Sequence, residues 1–209
     1  MKPVIIINLK TYQQGKKSVE IAKKISRVDK KIIIGAQASD IFEICKVVKN
    51  PIFVEHVDYQ LPGRNTGFIL PEAVKADRAK GVFLNHSEHK LKFDVIKKTV
   101  LRCKKLKLKT AIFASSLSEA KKIKKLKPDY LIYEPPELVG GKKSVSLAKP
   151  EIIKKIHEKL NYDLLVGAGI KTNEDLKIAM KLGAKGIAVS SGITKARDVE
   201  KALKKLLGN

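Results

Sequence analysis

Glu134, in the run Tyr130-Leu131-Ile132-Tyr133-Glu134-Pro135-Pro136, is the side chain of this sequence best placed to move a proton. The aromatic and branched residues before it read as a strand buried on both faces, which delivers the carboxylate to the strand's C-terminal rim. Pro135 and Pro136 supply no N–H to a ladder, so they stop the strand and stiffen its exit. Gly140 and Gly141 follow as permissive backbone positions, as a loop that swings or approaches a ligand closely would need. This grouping suits a general base under a lid. An ordinary strand-to-helix connection, with Glu134 solvated or capping the next helix, would use the same residues.

Other polar residues end other apolar runs. Asn8 and Lys10, two apart after an isoleucine run, put an amide and an ammonium where an anionic substrate or a developing oxyanion could be held; a surface lysine among many is the plainer alternative. His86 opens a segment in which Ser87 or a neighbour can start a helix, and free helix-start N–H groups beside an imidazole favour its neutral, hydrogen-bond-donating form. His86 and His89 with Glu88 could also be read as metal ligands, but their spacing matches no strong zinc pattern. Pairing or orienting Lys10 is the better use of Glu88. Gly167-Ala168-Gly169 and Ser190-Ser191-Gly192 each precede a helix candidate, where backbone N–H groups can cradle a phosphate. The dinucleotide-binding spelling is not met, because the third glycine is missing and no early strand carries the motif.

Positioning these residues requires a repeated unit. Apolar runs at Pro3–Ile7, Ile32–Gly35, Ile52–Val54, Val82–Leu84, Thr110–Phe113, Tyr130–Tyr133, Leu164–Val166 and Gly186–Val189 alternate with amphipathic segments. The helix candidates are Lys16–Arg27, Asp40–Val48, Pro71–Lys75, Lys90–Leu106, Leu117–Leu126, Lys149–Leu160, Asn173–Leu182 and Ala196–Leu207. Strand then helix, eight times over, predicts parallel strands joined by crossovers. A closed (β/α)8 barrel absorbs eight such units without leaving an edge and carries its site at the strand C-terminal ends. An open doubly wound sheet is the competing fold. The polar run ends favour closure, since they would then converge on one rim.

The chain has 209 residues, 44% of them hydrophobic, and carries 44 Lys plus Arg against 21 Asp plus Glu, a formal charge of +23. A charge so large invites a nucleic-acid reading. The lysines, however, fall in pairs at helical spacing, such as Lys16-Lys17, Lys97-Lys98, Lys121-Lys122 and Lys204-Lys205, as the solvent faces of separate helices would. Aromatic residues for base stacking are few and no nucleic-acid motif is present, so specific nucleic-acid binding is not expected. No apolar run approaches the ~20 residues of a membrane span, and the N-terminus lacks the features of a secretory signal, so no membrane partner and a cytoplasmic location are expected. Cys45 and Cys103 match no metal spacing and are expected to be buried apolar residues.

Taken together, the motifs resemble those of triosephosphate isomerases of the short archaeal type, nearly end to end. Asn8-Leu9-Lys10-Thr11-Tyr12 is similar to that family's first-strand motif, and Pro62 to Gly67 with Leu70-Pro71-Glu72-Ala73 to its third loop. Asn85-His86-Ser87-Glu88-His89 is similar to its histidine motif, Tyr133 to Leu138 to its base and lid, and Val166 to Ile170 to its phosphate loop. The resemblance implies one TIM-barrel domain over residues 1–209 and an intramolecular aldose–ketose isomerase that interconverts dihydroxyacetone phosphate and D-glyceraldehyde 3-phosphate through an enediolate, in glycolysis and gluconeogenesis. It implies Glu134 as base, His86 as electrophile, and Asn8, Leu9 and Lys10 at the substrate. Backbone groups near Val139, Gly140, Gly169, Ser190 and Ser191 would hold the phosphate, with Glu88 in support. Thr66 would reach across a subunit interface of a homo-oligomer, dimer or tetramer, and no metal or organic cofactor is required. A carboxylate base working with a neutral histidine is the documented arrangement of this family. Two departures stand out. Gly140-Gly141-Lys142 replaces the lid's usual Gly-Thr-Gly, and Val54-Glu55-His56 replaces the more usual Ala-Gln-His, with no evident role for Glu55. Another phosphate-binding barrel enzyme would share the last two loops but would not need Asn8, Lys10, His86 and Glu134 together.

Overall fold

Branched side chains in short runs can be buried on two faces only if each strand is flanked by other strands and covered by helices, and the chain does this by closing on itself. A computed structural model describes residues 2–135, 150–160 and 162–208. The strands are β1 (Val4–Asn8), β2 (Ile33–Ala36), β3 (Ile52–Val54), β4 (Gly81–Leu84), β5 (Lys109–Ala114), β6 (Tyr130–Tyr133), β7 (Leu164–Val166) and β8 (Gly186–Val189). Each pairs in parallel with the next, and β8 returns to β1 through the register Ile5↔Ile187 and Ile7↔Val189. That last pairing decides between the two folds, since an open sheet would leave β1 with one neighbour.

Alternation along the strands sorts the apolar residues into two cores. Ile6, Ile33, Phe53, Phe83, Phe113, Ile132 and Leu165 pack together inside the barrel. Their neighbours Ile5, Ile7, Ile34, Val54, Val82, Leu131 and Val166 face the helices. Room for the inner rings comes from missing side chains. A Cβ at Gly35 would lie 2.1 Å from the Phe83 ring, so the glycine is required by packing. One step of two beyond the inner core, the same alternation brings Asn8, Glu55, Glu134, Gly167 and Ser190 to the C-terminal rim.

The covering helices are α1 (Lys16–Val28), α2 (Ile41–Val47), α3 (Pro71–Ala76), α4 (Phe93–Lys105), α5 (Leu117–Lys124), α6 (Pro150–Leu160), α7 (Asn173–Lys181), α8 (Ser191–Thr194) and α9 (Val199–Leu207). Ser116, Thr172 and Asp198 cap α5, α7 and α9 by accepting backbone N–H groups, so those starts are set locally. Lys16, Lys17, Lys97, Lys98, Lys121, Lys122, Lys204 and Lys205 are all exposed, which makes them the solvated faces of their helices. Two expectations are corrected. Cys103 is buried but Cys45 is only half-buried, because the buried face of α2 is centred on Ile41 and Ile44 and Cys45 lies at its border, next to the exposed Lys46. The helix expected from Lys90 starts at Phe93, because the residues before it are spent in a turn around His86. Among the described residues no helix is long and apolar enough to cross a membrane.

Candidate active site

Glu134 leaves β6 with its N–H still bonded to the Ala114 carbonyl, so the ladder extends one residue past the strand and fixes the carboxylate's origin. The residue is 7% exposed. Its Oε2 lies 2.9 Å from His86 Nε2, and Ser87 Oγ donates to the same oxygen at 3.4 Å. On the other side, a Cβ at Gly167 would come within 2.8 Å of Oε1. The carboxylate therefore occupies space that only a glycine leaves open.

His86 is 8% exposed and is presented by a turn, not by a helix start. Asn85 takes the left-handed conformation (φ 62°), and the His89 N–H closes the turn on the His86 carbonyl at 2.9 Å. Within the turn the Glu88 N–H donates to His86 Nδ1 at 3.1 Å. A nitrogen that accepts an N–H carries no proton itself, so the neutral ring presents Nε2–H to the mouth of the barrel. The helix-start donors expected from the sequence are thus replaced by a single amide with the same aim. Phe113 supports the ring from the inner core, edge-on with centroids 4.8 Å apart.

Lys10 is also left-handed (φ 51°), and Asn8 Oδ1 accepts its N–H at 2.9 Å. Its ammonium lies 2.6 Å from Glu88 Oε1; the lysine side chain is 11% exposed and the glutamate 56%. Glu88 thus holds the ammonium from the solvent side while its backbone orients the histidine. Leu9 is buried in the outer core, so alternation points its side chain away from the mouth. Thr66 lies on an exposed loop and lines neither cleft at this chain's own mouth.

The opposite wall is built from the ends of β7 and β8. Ala168 (φ 75°) and Gly169 (φ 68°) are both left-handed, and Ser190 precedes α8, a one-turn helix absent from the sequence reading. Gly169, Ser190, Ser191 and Gly192 line one cleft with Asn8, Lys10, Tyr12, His86 and Glu134. Ser190 Oγ is buried there without a hydrogen-bond partner among the described residues, an arrangement that favours a polar ligand. Val139 and Gly140, expected at the phosphate, and the altered lid Gly140-Gly141-Lys142 lie outside the described residues.

One supporting residue escaped the sequence reading. Glu119, at the start of α5, accepts from Asn85 Nδ2 (2.7 Å), Lys90 Nζ (2.6 Å) and both the N–H and Oγ of Ser115 (2.7 Å each). Burial alone would raise its carboxyl, but the bonds from Lys90, Ser115 and Asn85 outweigh burial and hold it down at about 2. Its only sequence signal, Ser116 three residues before it, spells a helix cap and not a brace. A second carboxyl, Glu55, behaves oppositely: burial is the main cause that pushes it up to about 7.

A carboxylate and an imidazole N–H at hydrogen-bond distance, with an ammonium on one side and left-handed backbone beside a buried hydroxyl on the other, are groups that can move a proton and stabilise a developing oxyanion. The chain matches the family model described as triosephosphate isomerase over residues 3–206. It is 42% identical over 211 aligned residues to the triosephosphate isomerase of Saccharolobus solfataricus, covering 96% of this chain and 93% of that one. It is 38% identical to the triosephosphate isomerase of Methanocaldococcus jannaschii, covering 98% of each. A crystal structure of triosephosphate isomerase from Bartonella henselae superimposes with a TM-score of 0.78 at 17% identity over 98% of both chains, a likeness of fold.

Proposed function

The chain belongs to the triosephosphate isomerase family, and we propose that its barrel mouth interconverts dihydroxyacetone phosphate and D-glyceraldehyde 3-phosphate with Glu134 as the base and His86 as the electrophile. The observation that carries this assignment is the 2.9 Å contact between Glu134 Oε2 and His86 Nε2. No reacting carbon fits between two atoms so close. Substrate must therefore replace that bond with two others, His86 N–H to a substrate oxygen and Glu134 to a C–H. Glu134 takes the carbon-bound proton, His86 and Lys10 stabilise the enediolate oxygens, the hydroxyl proton passes by way of His86 from one of those oxygens to the other, and Glu134 returns its proton to the neighbouring carbon. The hydrogen moves as a proton and no net electron transfer occurs, so the reaction needs no redox cofactor. The left-handed Ala168-Gly169 turn, Ser190 and Ser191 are the groups offered to the phosphate.

The test is isomerisation of either triose phosphate by purified protein without added metal, beside Glu134→Gln. Wild type should turn over and the variant should lose essentially all activity. Equal turnover in both would remove Glu134 from the role. The family reading also carries a cytoplasmic homo-oligomer acting in glycolysis and gluconeogenesis. The oligomer is supported by the loop around Thr66, where Leu61 and Phe68 are 65% and 48% exposed. Sedimentation velocity should show a species at least twice the 23.2 kDa chain mass, and a monomer at micromolar concentration would remove that part of the reading.

A further inference from the structure

Glu55 stands one inward step beyond Phe53 on β3, the same step that takes Ile6 to Asn8 and Ile132 to Glu134. It is therefore a rim residue of the barrel by position, although nothing in the reaction as described uses it. Its side chain lines a cleft beside the mouth, shared with Asn8, Lys10, Gln37, His86 and Glu88. Among the described residues Oε1 is buried without a hydrogen-bond partner, and so is Gln37 Nε2. The carboxyl lies close to the backbone N–H of Lys10, in the left-handed turn that presents the ammonium. Lys10, His86 and Glu88 are the charged or titratable groups that act on it; His56 and His89 line the same cleft, with Asp58 on His56 Nε2 at 3.1 Å.

We propose that Glu55 is a positioning residue acting through Lys10: Glu88 holds the ammonium from the solvent side, Glu55 sits by the turn beneath it, and negative charge on Glu55 weakens the site's hold on an anionic substrate. Two carboxylates and the substrate compete for one cation. Lys10 has one carboxylate partner already, and a second negative charge in a poorly solvated cleft draws on the same cation that must meet the substrate. A neutral Glu55 leaves that cation to the ligand. Because burial raises this carboxyl to about 7, its charge changes close to neutral pH and the hold on substrate changes with it. The inference rests on the triose phosphate reading for its substrate, but not for its electrostatics.

The experiment compares wild type with Glu55→Gln, an uncharged near-isostere, from pH 6 to pH 8 in two readouts. The first is KM and kcat for triose phosphate, whose own ionisation cancels in the ratio of the two proteins. The second is calorimetric binding of sulfate, which stays a dianion throughout. The wild-type-to-variant ratio of KM, and of the sulfate Kd, should rise roughly tenfold with increasing pH through a midpoint near 7, carried by KM and not by kcat. Glu55→Asp, which keeps the ionisable group, should keep the pH dependence. Ratios that stay flat across the range would overturn the proposal and leave Glu55 a structural residue. A sulfate ratio that moves in a protein inactive on triose phosphate would support Glu55's part while removing the substrate reading.

Discussion

Glu134 depends on an atom that is missing from its neighbour. The 2.8 Å that a Cβ at Gly167 would leave to Oε1 is shorter than real Cβ contacts allow, so Gly167→Ala must displace the carboxylate. A misplacement of about 1 Å at a reacting group can lower turnover on the order of a hundredfold. The backbone at Gly167 is not left-handed, so alanine brings no torsional strain and the fold should persist. The expected result is therefore a large fall in kcat with circular dichroism unchanged, and a wild-type kcat would show that the carboxylate has slack. Glu134→Asp tests the same point from the other side, since it retracts the carboxylate by one methylene and should lose rate on a similar scale. The rim position of Glu134 was legible from sequence, because a carboxylate after a buried run and before two prolines falls at the C-terminal end of a strand. The need for Gly167 against it was not, because the two meet only through the β6–β7 pairing.

At the scale of elements, the turn after β4 depends on α5. Asn85 is left-handed and its amide is held by Glu119 at 2.7 Å and by the Phe113 carbonyl at 2.8 Å, while its Oδ1 accepts the Leu91 N–H at 3.0 Å. The strand-to-turn junction that aims His86 is thus clamped from three directions. Glu119 has its folded value depressed to about 2 from 4.5. It therefore contributes stability that is present above 4.5 and lost as pH falls toward 2. Glu119→Gln should cost about 1 kcal/mol at pH 7, a figure discounted because the residue is half-buried, or roughly 2–4 °C in Tm for a chain of this size. The gap between the two proteins should close as pH is lowered from 5 toward 2; a constant gap would mean that shape, and not charge, sets Glu119's contribution. The strands were legible as apolar runs because burial on both faces leaves no choice of residue. The turn at His86 and the one-turn helix α8 were not, because four or five residues carry no period and their geometry is imposed by contacts from other elements.

For the whole molecule, closure of the barrel forces every inward rim position into one shared, poorly solvated space, and Glu55 pays for that membership in stability. Its folded value is raised from 4.5 to about 7, chiefly by burial. Below 4.5 the carboxyl is protonated in both folded and unfolded chains. Between 4.5 and 7 the unfolded chain ionises first, so the folded state binds more protons and stability falls with rising pH; above 7 both are ionised and the full loss remains. The shift corresponds to a loss on the order of 3 kcal/mol across that window. His89 has the opposite sign, since burial and the stacked His56 lower its value and its penalty grows on acidification. A pH scan of wild type alone would therefore mix the two. Urea unfolding of wild type and Glu55→Gln at pH 4 and pH 8 separates them, because His89 is common to both proteins. The variant should gain little at pH 4 and become the more stable protein at pH 8 by up to that amount. Equal differences at the two values would mean that the barrel rim solvates Glu55 as well as water does, and that closing the barrel places no electrostatic demand on it.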